Sequence, residues 1–414
     1  PANNRSYFYP SASLSWVVSE TFRLPKIISF SKIRLNASQV GADTWAYQLE
    51  KSFYNLNRFG NIYEASVENT LKNPNLKPTR INQYEAGMDL RMFGNRLSID
   101  LAVYTGTAFD QITPINTASS TGYTRRYVNV GEISNKGIEL AMSLNPVQTV
   151  SVDWNIGLTY SRNINEVVSL AKDVDALPIG YAYSGLRTEA RPGLPYGNII
   201  GYGLKRDPEG NIVHVNGLPV RTDSEMILGN FTPDWIGGVT SSLTFKDFTL
   251  SVLVNGKFGG ELFSNTTQWL RQYGMDKSTD VPMRQDYIVG EGVTERGGPA
   301  GEVLYEPNHV SVAFFDYAYW MNAYGLHETN MFDASYIKLK EVKLGYQLPS
   351  GLVQRTPFRQ VRISVVGRNL ALLYARIPHI DPETAISADN SKQGYEMFNM
   401  PSSRSLTASI LVKF

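Results

Sequence analysis

The sequence contains no cysteine among its 414 residues. Disulfide bridges and thiolate metal sites are therefore excluded, which suits a bacterial envelope protein. Histidine is also scarce, and the four histidines lack the spacing of metal ligands: His214, His309, His327 and His379. We therefore expect no metal site and no cofactor.

A charge excess and long apolar runs are missing as well. Lys and Arg number 39 against 38 Asp and Glu, a net charge of +1, so no nucleic acid partner is expected. No run approaches the roughly 18–20 apolar residues that a membrane-spanning helix needs. The motifs Gly-x-Ser-x-Gly, His-Glu-x-x-His and the phosphate loop are absent, and we expect no enzyme activity.

Strand-like alternation is what the sequence does contain, most clearly at its end. In the last nine residues apolar side chains alternate with polar or small ones, so Leu406, Ile410 and Phe414 share one face. The terminus of a soluble domain usually frays. The last strand of an outer-membrane barrel instead pairs with its first strand and turns its apolar face to lipid. This ending favours a membrane barrel.

Similar alternation recurs in segments of about ten residues, the length with which a tilted strand crosses a bilayer. Turns are predicted at Phe93–Arg96, Asn145-Pro146 and Lys246-Asp247. A change of phase in one strand predicts a β-bulge near Lys340-Glu341. Thirteen strands are predicted, at 12–21, 31–40, 81–92, 96–112, 130–144, 149–162, 195–205, 211–220, 235–245, 247–258, 332–348, 358–373 and 403–414.

The connections between these strands alternate in length. Short connections include 93–95, 145–148, 206–210 and 246, and long ones include 41–80, 113–129, 163–194, 259–331 and 374–402. Outer-membrane barrels have short periplasmic turns and long extracellular loops. The sequence therefore predicts an all-β, antiparallel transmembrane barrel in the outer membrane, with its C-terminus in the periplasm.

Thirteen is an odd number, whereas single-chain bacterial barrels have even strand numbers. Either one strand is miscounted or the barrel is incomplete, with earlier strands upstream or in another chain. The sequence begins with Pro1 and shows no signal peptide, so we expect a processed chain or the C-terminal portion of a longer protein.

Several sequence blocks carry a family resemblance. The most specific is VNVGEISNKGIEL at 128–140. Others in the same order are YFYPSASLSW at 7–16, IRLNASQVG at 33–41, NPNLKPTR at 73–80, YEAGMD at 84–89, NFTPDW at 230–235, VVGRNL at 365–370 and IDPE at 380–383. Through their order and spacing, the chain resembles the C-terminal barrel portion of the SusC/RagA-type TonB-dependent outer-membrane transporters.

The resemblance implies a 22-stranded barrel with an N-terminal plug, to which residues 1–414 contribute about thirteen strands. It also implies contact with TonB through a segment outside this sequence, and a SusD-like surface lipoprotein over the pore. The expected function is TonB-dependent import of an oligosaccharide or peptide nutrient.

Charged residues on the polar strand faces are predicted to point into the lumen, since on the lipid face they would cost several kcal/mol. They could pair with one another inside the barrel, the interpretation we favour, or contact a plug. These lumen candidates are Arg34, Glu85, Asp89, Arg91, Asp100, Glu139, Asp153 and Arg362.

Aromatic and polar residues in the long loops are the candidates for binding a ligand or a partner protein, because aromatic faces stack on sugars and anchor proteins. Self-packing of the loop, or contact with a capping lipoprotein, explains them at least as well. The candidates are Trp45, Tyr47, Tyr54, Trp269, Arg271, Gln272, Tyr273 and Trp320. The two carboxylates of Asp381-Pro382-Glu383 are interpreted as part of a loop turn rather than an acid–base pair.

Two alternatives to nutrient import remain open at this point. A barrel of this type could act as a structural scaffold in a larger outer-membrane complex, with its long loops holding partners. It could also be a passive porin, which predicts steady conductance where a plugged transporter is silent.

Overall fold

The computed structural model describes residues 6–44, 49, 53–60, 62–171, 174–182, 185–280, 286–299, 301–323, 325–354, 356–383 and 393–414. The chain divides into two compact units. The first comprises Pro1–Leu144, Thr159–Leu177 and Arg191–Tyr196, and the second Asn145–Leu158, Pro178–Ala190 and Gly197–Phe414. In the described part of the chain, no helix has both the length and the apolar character needed to cross a membrane.

The first unit is built almost entirely of strands, and the last two of these continue into residues of the second unit. Its elements are β1 (Ser11–Val17), α1 (Val18–Thr21), β2 (Ile28–Ala42), β3 (Phe53–Phe59), β4 (Ile62–Val67), β5 (Thr70–Leu71), β6 (Thr79–Met92), β7 (Leu97–Asn116), a 3₁₀ turn (Ser119–Thr121), β8 (Arg125–Gln148) and β9 (Val152–Ser169).

The second unit combines long strands with short strands and short helices. Its elements are β10 (Leu177–Tyr181), β11 (Arg187–Ala190), β12 (Asn198–Gly201), β13 (Val213–Val215), β14 (Leu218–Pro219), β15 (Met226–Asn230), β16 (Trp235–Phe245), β17 (Phe248–Phe258), β18 (Glu261–Ser264), α2 (Asn265–Gln272), a 3₁₀ turn (Lys277–Thr279), β19 (Tyr287–Val289), β20 (Val293–Gly297), β21 (Val303–Pro307), β22 (Ser311–Ala313), α3 (Phe314–Met321), a 3₁₀ turn (Glu328–Asn330), β23 (Met331–Asp333), β24 (Tyr336–Gln347), α4 (Ser350–Val353), β25 (Gln360–Ala375), β26 (Tyr395–Glu396) and β27 (Ser405–Lys413).

Antiparallel pairing orders the long strands of the first unit as β1-β2-β6-β7-β8. The register places Leu14 opposite Leu35, and Ala86 opposite both Leu35 and Val103. Leu14, Leu35 and Val103 are exposed although they are apolar. Because side chains alternate along a strand, the intervening polar residues form the opposite face. Such a sheet has one apolar and one polar surface, as a barrel wall requires.

The second unit contains an equivalent ladder, β16-β17-β24-β25-β27. Residue Leu253 pairs with Glu341 while Val254 pairs with Leu339, so Lys340 is the extra residue of a bulge. The predicted bulge is therefore confirmed. On the terminal strand, Ile410 is 70% exposed and pairs with Ile363 on the apolar face. Beyond that strand, the Phe414 ring meets Phe358 edge-to-face at 5.2 Å.

The connecting segments of the second unit form their own small sheets, ordered β10-β11-β12-β15, β14-β13-β20-β21, β23-β18-β26 and β19-β22. These sheets enclose apolar cores, unlike the long ladder. One core contains Leu186, Ile199, Phe263 and Tyr395, and a second contains Leu262, Ala334 and Ile377.

Two of the thirteen predicted strands were wrong as members of the long ladders. Residues 195–205 and 211–220 contain only the short strands β12, β13 and β14. Ile199 and Val213 are fully buried there. Alternation looks the same whether the apolar face meets lipid or a protein core, which explains the error. Eleven long strands of the described residues remain, the ten of the two ladders and β9. The two misassigned segments are consecutive. Removing both therefore leaves the alternation of short and long connections between the remaining strands in phase.

The turns followed the prediction at two of three places. Residues 93–96 and Lys246-Asp247 join antiparallel partners as expected, with Lys246 in the left-handed region at φ 51°. The Asn145-Pro146 turn was wrong: β8 continues to Gln148, and the hydrogen bond from Thr149 N to Val152 O closes the turn at 2.7 Å. The predicted loop 113–129 is also largely strand, since β7 and β8 pair as far as Asn116 and Arg125.

Candidate functional site

Helix α2 and the segment around Glu396 are joined by buried hydrogen bonds. Ser264 caps the helix by accepting from Thr267 N at 3.0 Å. Glu396, which is 1% exposed, accepts from Ser264 Oγ at 2.7 Å and from Thr266 Oγ1 at 2.6 Å. A carboxylate is stabilised at a helix N-terminus by the unpaired N–H groups and the helix dipole. The chain around Glu396 is thus held against the first turn of α2.

This attachment builds an exposed group of three aromatic rings, which we call the aromatic platform: Trp269, Tyr273 and Phe398. Trp269 and Tyr273 are four residues apart, so they share one side of the helix, and their rings lie 5.4 Å apart. Phe398 N donates to Thr266 Oγ1 at 2.8 Å, and its ring meets Trp269 edge-to-face at 5.8 Å. Half of the Tyr273 side chain is exposed. The platform offers a stacking surface on a rigid support.

The opposite side of α2 is buried and holds the helix in place through hydrogen bonds. Gln268 donates to the carbonyl oxygens of Ala323 at 3.1 Å and Leu326 at 3.3 Å. Arg271 donates to Thr329 O at 2.7 Å, and burial lowers the pKa of its guanidinium, against the opposing effect of Asp276. Gln272 is buried as well. Of the four candidates in this stretch, Trp269 and Tyr273 come together on the accessible side, whereas Arg271 anchors the helix and Gln272 is buried.

A second cluster, the carboxylate clamp, joins the Asp381-Pro382-Glu383 turn to β24; its members are Tyr336, Lys338, Lys340, Asp381 and Glu383. Lys338 Nζ lies 2.6 Å from Asp381 Oδ2 and 2.8 Å from Glu383 Oε2. Tyr336 OH donates to Glu383 Oε1 at 2.9 Å, and Lys340 also contacts Glu383. The Lys338 side chain is only 4% exposed. The turn predicted here is confirmed, and its carboxylates additionally fix the loop to the strand.

The clamp is expected to persist in mildly acidic solution and to open only in strong acid. Burial alone raises the pKa of the Asp381 and Glu383 carboxyls, but hydrogen bonds from Lys338 and other donors outweigh it and hold both values below normal. Carboxylates with lowered pKa values stabilise the folded state at neutral pH, and that stability is lost as pH falls through the lowered values, below about pH 4.

Amide hydrogen exchange of the peptide covering 376–383, corrected for intrinsic rates, measures this opening. Exchange should be unchanged between pH 7 and pH 5 and should rise below pH 4. An opening between pH 7 and pH 5 would contradict the lowered pKa values.

In the first unit, three of the lumen candidates form one charge cluster on the polar face. Arg34 Nη1 lies 2.5 Å from Asp89 Oδ1, and Arg34 Nη2 lies 2.6 Å from Asp100 Oδ1. Lys32 adds a contact of 2.6 Å to Asp89 Oδ2. The register places Glu85, Arg91 and Glu139 on the same face. Arg34, Asp89 and Asp100 therefore pair with one another, as we expected. The assignment of this face to the lumen stays a prediction.

The other candidates are separated from these clusters or lie outside the described residues. In the second unit, Asp153 accepts from Asn145 Nδ2 at 3.2 Å, and Arg362 pairs with Gln347 and Leu411 in the ladder. Trp320 is on α3 and meets Tyr319 at 6.0 Å. Trp45 and Tyr47 fall outside the described residues, and of Tyr54 only the backbone, in β3, is described.

Sequence reasoning missed Glu396, Phe398 and the lysines of the clamp. Lys338 and Lys340 are two residues apart, as are Asp381 and Glu383, so matching charge spacing was a usable signal. No local signal links Glu396 to Ser264, because they are 132 residues apart.

The chain matches a known protein family over about two thirds of its length. The family model described as TonB dependent receptor-like, beta-barrel matches residues 1–282. The chain belongs to this family. The predicted class, an all-β antiparallel barrel of the outer membrane, is confirmed with it, as is the resemblance to SusC/RagA-type proteins.

Individual relatives are distant in sequence and longer than this chain. TonB-dependent receptor P3 of Formosa agariphila is 24% identical over 452 residues, covering 100% of this chain and 42% of that protein. TonB-dependent receptor SusC of Bacteroides thetaiotaomicron is 24% identical over 184 residues, covering 42% of this chain and 18% of that protein. The chain spans about two fifths of the first of these relatives.

A solved structure shares the fold. The structure described as that of the RagAB peptide transporter superposes with a TM-score of 0.74 at 18% identity, covering 100% of this chain and 44% of that one. At this identity the likeness establishes the fold alone.

Proposed function

We propose that the full-length protein containing this chain imports a nutrient across the outer membrane with energy supplied through TonB. The family match carries this proposal, because the matching model describes the β-barrel of TonB-dependent receptors. The relatives are named as receptors and the structural neighbour as a peptide transporter, so we propose transport and no catalysis. Force from TonB would act through a plug segment outside this sequence.

The aromatic platform is our candidate for first contact with an oligosaccharide or peptide. Its rings are exposed, yet Glu396 and the capped helix fix their positions. A preorganised aromatic surface binds with little loss of side-chain entropy, and it suits the face of a sugar ring or a peptide side chain. We further propose that a SusD-like surface lipoprotein covers this side of the barrel.

Trp269→Ala is expected to reduce uptake about tenfold at low ligand concentration, since an aromatic anchor is worth about 1–2 kcal/mol of binding free energy. The measurement is uptake of labelled oligosaccharide and peptide mixtures by cells expressing the full-length protein. Tyr287→Ala is the matched control, because Tyr287 is 73% exposed but lies outside the platform. Equal loss in both variants would argue against the platform as a binding surface.

Deleting TonB tests the proposed function itself. Import should fall to background, whereas uptake that continues without TonB identifies a passive porin. Absence of any uptake, together with many unrelated proteins that co-purify with the complex, identifies a scaffold.

A further inference from the structure

A cavity of about 300 Å³ opens in the second unit beside the aromatic platform. This cavity has walls from β24, β25, residues 379–381 and the segment that precedes β27. Ligand pockets typically begin at about this volume. The residues that matter for its chemistry are Lys338, Asn369, His379, Asp381, Asn399 and Arg404.

Among the described residues that line the cavity, one cationic side chain, Arg404, is left to bind an anion. Lys338 is neutralised by the carboxylates of the clamp, and His379 Nε2 lies 2.7 Å from Asp276 Oδ2. Arg404 is exposed and has no ion-pair or hydrogen-bond partner within the described part of the chain. A guanidinium presents a planar fork of N–H donors that matches a carboxylate in two parallel hydrogen bonds.

A second donor in the same wall is also unused. The Asn399 side-chain Nδ2 is buried and lacks a hydrogen-bond acceptor among the described residues. Buried polar groups are almost always paired, so an unpaired one in a residue of the cavity wall calls for an acceptor beyond those that the described residues provide. The carboxylate of Asp381 is not this acceptor, because it already binds Lys338 and receives a hydrogen bond from Ser402.

The backbone around the cavity is held in an unfavourable conformation at three non-glycine residues. Asn369, His379 and Phe398 have φ angles of 53°, 67° and 49°. Left-handed backbone is disfavoured for residues with a Cβ atom and persists where the surrounding structure enforces it, as happens at binding sites. Phe398 directly precedes Asn399, so the same distortion positions the platform ring and the unused donor.

We propose that this cavity binds a carboxylate group of the transported ligand, with Arg404 and Asn399 as its donors. The inference rests on the proposed function and narrows its ligand class. Thr266 lines the cavity and belongs to the same helix as Trp269, so a ligand stacked on the platform lies beside the two donors. A uronate-containing oligosaccharide and a peptide with a free C-terminus both provide such a carboxylate.

Equilibrium binding to the purified full-length protein tests the cavity with two pairs of fluorescent probes. The first pair is trigalacturonate and its trimethyl ester, and the second is a pentapeptide with a free C-terminus and its C-terminal amide. At least one carboxylate probe should bind about tenfold tighter than its neutral counterpart, the range of a charge-assisted hydrogen bond. The pair that shows the preference identifies the source of the carboxylate.

Arg404→Gln should reduce that preference to about twofold or less, and Arg404→Lys should restore part of it, because the charge returns without the fork. Arg96→Gln, in the 93–96 turn, should leave it unchanged. Equal binding of neutral and carboxylate probes in both pairs, or a preference that survives Arg404→Gln, would overturn the proposal. TonB-dependent uptake in the same strain reports on the proposed function independently, so the two ideas can fail separately.

Discussion

Lys338→Met should detach the Asp381-Pro382-Glu383 turn from β24 while the barrel stays folded. Methionine retains most of the apolar stem but removes the charge that lies 2.6 Å from Asp381 and 2.8 Å from Glu383. The Asp381 side chain is only 8% exposed, so its carboxylate would be left buried without its principal counter-charge. Removing one partner of a buried ion pair costs about 3–5 kcal/mol.

The clamp lies in a loop, so its local opening is the readout, measured as faster amide exchange in peptides covering 376–383 and 393–404. Lys340→Met is the matched control, because the Lys340 side chain is 29% exposed. A partly exposed pair is worth about 0–1 kcal/mol, and its loss should change exchange little. The triple variant Lys338→Met, Asp381→Asn, Glu383→Gln should recover most of the protection. Equal exchange in the two single variants would show that the clamp is not held by Lys338.

Val239→Arg should destabilise the folded barrel by about 2–4 kcal/mol, the cost of a cation on the lipid face near the bilayer midplane. Val239 lies near the middle of β16, pairs with Val254 and is 43% exposed. Its neighbour Thr240 has nearly the same shape, lies at the same depth and points to the opposite face of the sheet. Thr240→Arg should therefore be nearly neutral.

Both variants are compared as full-length protein in lipid vesicles, by the denaturant concentration at which half of the barrel is unfolded. Because the two variants carry the same substitution at adjacent positions, we expect them to be expressed and inserted equally, so the difference between them reports on the face of the sheet. A larger loss for Thr240→Arg would show that the polar face meets lipid and would reverse the assignment of the lumen candidates.

The strands of the long ladders, the turns at 93–96 and Lys246-Asp247, and the bulge follow from the order of the amino acids alone. Alternation in β16, β17 and β27 depends only on neighbouring residues, because successive strand side chains point to opposite faces. The change of phase at Lys340 is local for the same reason. The left-handed turn at Lys246 needed no information beyond the two strands that it joins.

The folded structure is needed to show what each apolar face contacts and which loop residues meet. Ile199 alternates like a residue of a membrane strand, but it is fully buried in a core with Phe263 and Tyr395. Residues Lys338 and Asp381 are 43 positions apart, and no periodicity relates them. Trp269 meets Tyr273 because helix α2 forms within the predicted loop 259–331, and the third ring of the platform, Phe398, comes from a distant segment. Periodicity is a property of one strand or helix, while the partner of a side chain depends on how distant segments fold back on one another.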